Sequence, residues 1–211
     1  MLDTPVTTRF LQNETKRLQQ ENHELRDEVL LLRGILNALR QLHEVSTIID
    51  AETDILLLLD GILEVALNTL GAMDGSLMLV DEEAQELVFV VVHGAIRHSL
   101  VGHHIPIGTG IAGWVAQHHE PVIVGNVYDD PRFSAGVDKR FAFRTQALLC
   151  VPIIYNQKVL GVFQALNKRN GESFTLADQS LLGVVAQLAA TAMHKAQMSS
   201  EQEEGQGKEQ G

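Results

Sequence analysis

The residues in this 211-residue chain best suited to metal or redox chemistry are nine histidines and one cysteine. Their spacing argues against both uses. His103-His104 and His118-His119 are adjacent pairs; neighbours on a strand point to opposite faces, and on a helix they diverge by about 100°. No His-x-x-x-His with a nearby carboxylate falls on a clear helix. Cys150, in the apolar run LLCVPI, reads as a small core residue, and one cysteine can supply neither an internal disulfide nor a cysteine-rich metal site. Gly108 to Gly113 (GTGIAG) satisfies G-x-G-x-x-G, but a dinucleotide fingerprint needs a long following helix and an acidic residue closing the next strand. Only a short helix ending before Pro121 follows, and Asp129 and Asp130 lie in a loop beyond Val122 to Val124. The segment therefore predicts a tight turn into a short helix, with Trp114 in the core. Thr175 and Asp178, three apart before an apolar run, have the spacing of a helix capping box. Neither a Ser/His/Asp grouping nor a paired-carboxylate motif emerges, so the expectation is a non-catalytic protein without a metal site.

The elements that would position these residues are constrained by composition. The chain is 45% hydrophobic and 20% charged, typical of a globular protein, and its formal charge of −11 disfavours nucleic acid, which requires a Lys/Arg face. The N-terminus has no apolar core or cleavage site, and Ile55 to Leu70 is interrupted by Asp60, Glu64 and Asn68. Neither a signal peptide nor a membrane span is expected, and the expected compartment is cytoplasmic.

Leu11, Leu18, Leu25, Leu32 and Leu39 recur every seven residues, with Thr15, Asn22, Val29 and Leu36 as the interleaved a positions. Leucine at d with a β-branched residue or a single Asn at a favours a parallel two-stranded coiled coil. Glu14, Glu21 and Glu28 occupy g, and Gln19, Arg26 and Arg33 occupy e. Parallel pairing sets Glu21 against the partner's Arg26 and Glu28 against the partner's Arg33. The alternative is one amphipathic helix folded onto its own domain, which usually carries a wider apolar stripe. After Gly34 the stripe moves to Ile35, Ala38, Leu42, Val45 and Ile49, as a change of packing partner would require. The expected organisation is a flexible segment 1–10, a coiled coil 11–39, a globular domain 40–197 and a disordered polar tail 198–211.

Within the globular part, residues 53–70 predict a buried helix, capped by Thr53 and stopped by Gly71. Strands are expected at Ser76 to Val80, Leu87 to Val92, His103 to Ile107, Val122 to Val124, Ala147 to Ile154 and Lys158 to Leu166. An irregular stretch fills Gly125 to Thr145, and a final helix runs from about Leu176 to Gln197. One face of that helix is Leu181, Val185, Leu188 and Ala192; a second is Leu182, Ala189 and Met193. This order implies an α+β domain.

Three segments carry a resemblance: IPIGTGIAGWVAQHHEPVIVGNVYDDPRF, RTQALLCVPIIYNQKVLGVFQALNK and FTLADQSLL. In order and spacing they resemble a GAF domain over residues 40–197. The resemblance implies a six-stranded antiparallel sheet with helices on one face, and a small-molecule pocket on the other under a lid formed by Gly125 to Thr145. It also implies dimerisation through terminal helices and regulation of an output domain. Asn167, Lys168, Phe174 and Asp178 match the Asn-Lys…Phe…Asp-Glu motif of the GAF domains of phosphodiesterases and cyanobacterial adenylate cyclases, with Gln179 replacing the final Glu. In that family the motif is thought to brace the pocket. Ser76, Asp138, Phe143, Thr145 and Ala147 fall on pocket positions, while Phe141-Ala142 replaces the family's Thr-Gly. The expected pocket set is therefore Ser76, Asp138, Phe141, Phe143, Thr145 and Ala147. A ring in place of a hydroxyl would shrink the pocket and weaken a polar ligand, so cyclic GMP or cyclic AMP ranks below another small molecule. Haem, through His93, His98 or His104, ranks lower still. Cys150 lacks the neighbourhood for bilin attachment, and a lone cysteine argues against a GAF-type free methionine sulfoxide reductase. The expected function is a homodimeric small-molecule sensor acting on a separate output protein; the rival is a ligand-free dimerisation scaffold.

Overall fold

The computed structural model describes residues 11–23, 55–94 and 97–209, with Arg9, Leu25, Arg26, Val29, Arg33 and Leu36. Residues 11–23 are helical, and Leu11, Leu18, Leu25, Val29 and Leu36 are exposed. Leu32, Leu39, Glu28 and Thr53 lie outside the described residues, as does the second stripe at Ile35, Ala38, Leu42, Val45 and Ile49.

The following chain is α1 (Ile55–Leu70), β1 (Ala72–Asp81), β2 (Glu86–His93), α2 (Arg97–Leu100), β3 (His104–Pro106), α3 (Gly110–His118) and β4 (Val122–Val124). Then come a 3-10 turn (Val127–Asp129), α4 (Gly136–Phe141), β5 (Leu148–Tyr155), β6 (Lys158–Lys168) and α5 (Leu176–Glu209). The strands form one six-stranded sheet in the order β3-β2-β1-β6-β5-β4, antiparallel throughout. The six strands, α1 and the final helix fall where the apolar patterns predict them.

Alternation along the strands divides the interior into two layers. Leu77, Val91, Leu149, Val151, Ile153, Phe163 and Ala165 face α1 and α5, meeting Leu59, Leu63 and Leu67 of α1 and Leu182, Val185 and Ala189 of α5. Gly75 lets α1 approach this closely: a Cβ there would stand 2.5 Å from Leu67 Cδ2. Met78, Phe89, Val92, Leu148, Cys150 and Val162 face the opposite way, toward Ile111 and Val115 of α3 and Val127. One face of α5 covers β5 while α1 packs beside it, as its two apolar stripes require. Leu176–Met198 is long and apolar enough to cross a membrane, but its apolar side chains are largely those packed on the sheet and α1.

Four expectations need correction. Helix α1 is buried on one side only, with Leu56 and Leu57 exposed. Trp114 is half-buried rather than in the core. The stretch expected to be irregular contains the 3-10 turn and α4. Finally, α5 continues through residues 198–209.

Candidate functional site

On the face opposite α1 and α5, the sheet does not pack solid. A cavity of ≈ 370 Å3 lies between the sheet, α3 and the segment joining β4 to β5. Sheet register builds its floor: Ser76 of β1 and Cys150 of β5 both stand opposite Gln164 of β6. Ser76 and Gln164 line the cavity and are buried. Ser76 Oγ lies 3.5 Å from Gln164 Oε1, at the long limit of a hydrogen bond, so both groups retain capacity for a further partner. Cys150 sits behind the lining, fully buried; loss of solvent pushes its thiol far up, only partly offset by a hydrogen bond from Gln164, so it is an inert neutral group.

The turn into α3 explains the glycines of GTGIAG. Gly108 and Gly110 have φ of +85° and +67°, and a Cβ on Gly113 would meet the Pro106 carbonyl oxygen at 2.8 Å. Thr109 makes no side-chain cap to α3. Thr109, Gly110, Ile111 and Ala112 line the cavity, so the open amino end of this helix borders it.

The cavity's roof is residues 125–145. Asp138 of α4 is buried, and its carboxylate accepts from Thr145 N–H and Thr145 Oγ1, both at 2.8 Å. The expected polar pair is present, but its two members mainly satisfy each other. Arg140, His103 and His104 line the cavity as well. The His103 ring stacks near Phe89 and meets Phe141 edge-on at 5.7 Å. Burial lowers its pKa, with Arg140 and then His104 adding to the shift. His93 of β2 also lines the cavity, and its Nε2 lies 3.0 Å from Asp60 of α1. That is close enough for an ionic contact, but the geometry leaves His93 Nε2 without a proper hydrogen bond.

Of the expected pocket residues, Ser76, Asp138, Phe143 and Thr145 line the cavity. Phe141 stands behind the lining, packed on His103 and the cavity-side core. Ala147 does not line the cavity either. It belongs to the helix-side core, in phase with Leu149 and Val151, two and four residues on. Sequence reasoning weighed His103 only for metal chemistry and passed over Gln164, Arg140 and Phe89. Gln164 had a signal: it is the lone uncharged polar residue within the apolar run VLGVFQAL.

The other expected motif is assembled as a brace. Lys168 Nζ lies 2.6 Å from Asp178 Oδ2 and 5.6 Å from the Phe174 ring centre. The same carboxylate oxygen accepts from Thr175 N–H at 2.7 Å, and Thr175 Oγ1 accepts from Asp178 N–H at 3.2 Å. The capping box and the ion pair thus share one carboxylate. Asn167, with φ of 52°, accepts from Gln146 N–H and donates to the Arg144 carbonyl. Together these residues tie the end of β6 to the cavity roof on one side and to the start of α5 on the other.

Comparison with known proteins agrees with this architecture. Residues 54–193 match the GAF domain family. The chain is 41% identical over 92 residues to the Dual 3',5'-cyclic-AMP and -GMP phosphodiesterase 11 of Drosophila melanogaster, a match covering 43% of this chain and 6% of that protein. It is 33% identical over 132 residues to the Probable 3',5'-cyclic phosphodiesterase pde-5 of Caenorhabditis elegans, covering 58% of this chain and 18% of that one. The chain thus spans only a small part of these relatives. In fold it is similar to the GAF domain of a phosphoenolpyruvate-protein phosphotransferase from Coxiella burnetii, with a TM-score of 0.67 at 19% identity over 79% of this chain and 98% of that one. It is also similar to free methionine-R-sulfoxide reductase from Neisseria meningitidis, with a TM-score of 0.62 at 22% identity over 78% and 93% of the two chains. With its sheet order, helical layer and cavity accounted for, the chain belongs to the GAF domain family, a family of signalling and sensing modules.

Proposed function

We propose that this protein is a non-catalytic small-molecule sensor whose ligand occupies the cavity beneath residues 125–145. The observation that carries the reading is a roofed ≈ 370 Å3 space with Ser76 and Gln164 on its floor and Arg140 and His103 at its side. Ligand sites are typically clefts of about 300–1,000 Å3, mostly apolar with a few placed polar groups. A dimerisation scaffold has no need of buried, under-used polar groups beside an empty space. Binding would reach the rest of the chain through Asn167 and the Lys168–Asp178 pair, which connect the roof to α5.

A cyclic nucleotide is the second reading, favoured by the names of the relatives, which are cyclic-nucleotide phosphodiesterases. Its polar edge would have to compete with the Asp138–Thr145 pairing. The output is assigned to a homodimer acting on a separate protein. Support comes from the exposed leucines at the heptad positions of the N-terminal helix, which a parallel partner would cover.

Thermal unfolding with cyclic GMP, cyclic AMP and a metabolite panel tests the sensor. A compound at 100 times its Kd stabilises the fold by about 2.7 kcal/mol, a shift of several degrees. Stabilisation by a cyclic nucleotide would promote the second reading, and stabilisation by none would favour the scaffold. Analytical ultracentrifugation tests the dimer, and a monomer at micromolar concentration would remove it.

A further inference from the structure

The roof of the cavity is fastened unlike the rest of the molecule. Among the described residues, every hydrogen bond made by residues 128–143 closes within residues 126–145. Tyr128 N–H donates to Asn126, Asp130 N–H to Val127, Phe133 N–H to Asp130, Lys139 N–H to Ala135 and Phe143 N–H to Asp138, while Asp138 receives Thr145. The two ends are stitched to each other by Val127 N–H donating to the Gln146 carbonyl, and Asn167 holds the second end on β6. The segment is therefore a compact loop with joined ends, whose own side chains maintain its shape. What holds it down is side-chain contact alone: the apolar groups Phe133, Val137 and Phe141, Phe141 against His103, and one polar contact.

That contact is prepared on both sides. Asp130 grips Arg132 by two parallel hydrogen bonds, 2.9 Å to Nε and 2.6 Å to Nη2, which orients the guanidinium plane. The guanidinium carbon lies 4.5 Å from the centre of the Trp114 ring on α3. Trp114 is itself steadied by His118, stacked at 4.2 Å and 13°.

We propose that residues 128–143 open and close as one preformed unit, and that the Arg132–Trp114 contact is the latch controlling access to the cavity. Opening breaks no main-chain hydrogen bond to the sheet or to α3, so the hydrogen bonds inside the unit survive it. The proposal rests on the cavity being a ligand site, and it deepens that reading by naming what regulates entry.

Labelling kinetics test it without a ligand. Ser76 lies buried on the floor, so a thiol placed there by Ser76→Cys, in a Cys150→Ala background, reacts with a small disulfide reagent only when the roof opens. Arg132→Ala should speed this labelling about threefold, the population change expected from losing a partly exposed cation–π contact. Trp114→Leu should do the same, and the double variant should add nothing further. Cys150 in the otherwise native chain, fully buried behind the lining, reports global unfolding, and its labelling should be unchanged by Arg132→Ala. Amide exchange at Lys139 and Phe143 should also stay unchanged. An unaltered rate at position 76, additive effects, or an equal rise at Cys150 would overturn the latch. Faster exchange at Lys139 and Phe143 would overturn the rigid unit. If the latch behaves as stated while no compound stabilises the protein, the sensor reading fails alone.

Discussion

The two faces of the sheet use the same strands for opposite ends. On one, Phe163, Leu77, Leu149 and Ile153 are fully buried beneath α1 and α5. On the other, Met78, Val162 and Cys150 are as deeply buried, yet a cavity remains beside them, lined by Ser76, Gln164 and a roof held by side-chain contacts. Close packing on the first face supplies stability that lets the second stay hollow. Mutations should therefore be costly on the helix side and on the brace, and nearly silent on the cavity floor.

The largest effect is expected for Phe163→Ala. The ring is fully buried between sheet and helices, and removing it should cost about 3–5 kcal/mol in denaturant unfolding. A cost below about 1.5 kcal/mol would mean that the helix side collapses as easily as the cavity side, and the comparison would break. Next comes Asp178→Ala, which strips Lys168 of its partner and α5 of its reciprocal cap in one change. Both side chains of the pair are mostly buried, so the expected loss is about 2 kcal/mol, less than the full penalty for a completely desolvated pair. Equal losses from Thr175→Ala and Asp178→Ala would assign the carboxylate to capping alone. At the small end, Ser76→Ala breaks only a 3.5 Å contact and should change stability by less than about 0.5 kcal/mol. The same variant should weaken whichever compound stabilises the native protein, a separation of stability from binding that the filled face cannot show.

How legible these regions were in the sequence follows the same division. The helix-packed side announces itself through alternation and periodicity: the runs now seen as β5 and β6 and the stripes of α5 are where apolar spacing puts them. Asp178 was legible twice, as a capping residue by spacing and as a brace by resemblance, and one oxygen performs both roles. The cavity side was read less well because its residues obey no period. Helix α4 is six residues long, GVDKRF, too short for an apolar repeat to declare itself. Ala147 was put in the pocket by resemblance alone, although alternation with Leu149 and Val151 already assigns it to the helix side. Gln164 was readable in principle as a polar residue in a buried strand, whereas the approach of His103 to Phe141 depends on how the roof folds back and has no local signature.

The finest test of the comparison is a titration at the edge of the cavity. His103 is pressed between Phe89 and the roof's Phe141, with Arg140 nearby, and its pKa lies below the ordinary value of 6.5. The native state therefore binds this proton less readily than the unfolded chain, and stability rises with pH where the two differ. The contribution is complete above about pH 6.5 and is lost as pH falls toward the depressed native value. Proton NMR of the imidazole should give a midpoint below 6.5, and Arg140→Ala should recover only part of the difference, because burial outweighs the arginine. A full return to 6.5 in Arg140→Ala would make the shift electrostatic rather than a matter of burial. A partial return, with a further rise in Arg132→Ala, would tie the burial of His103 to a closed roof: unlatching residues 128–143 would lift Phe141 from the ring and readmit water.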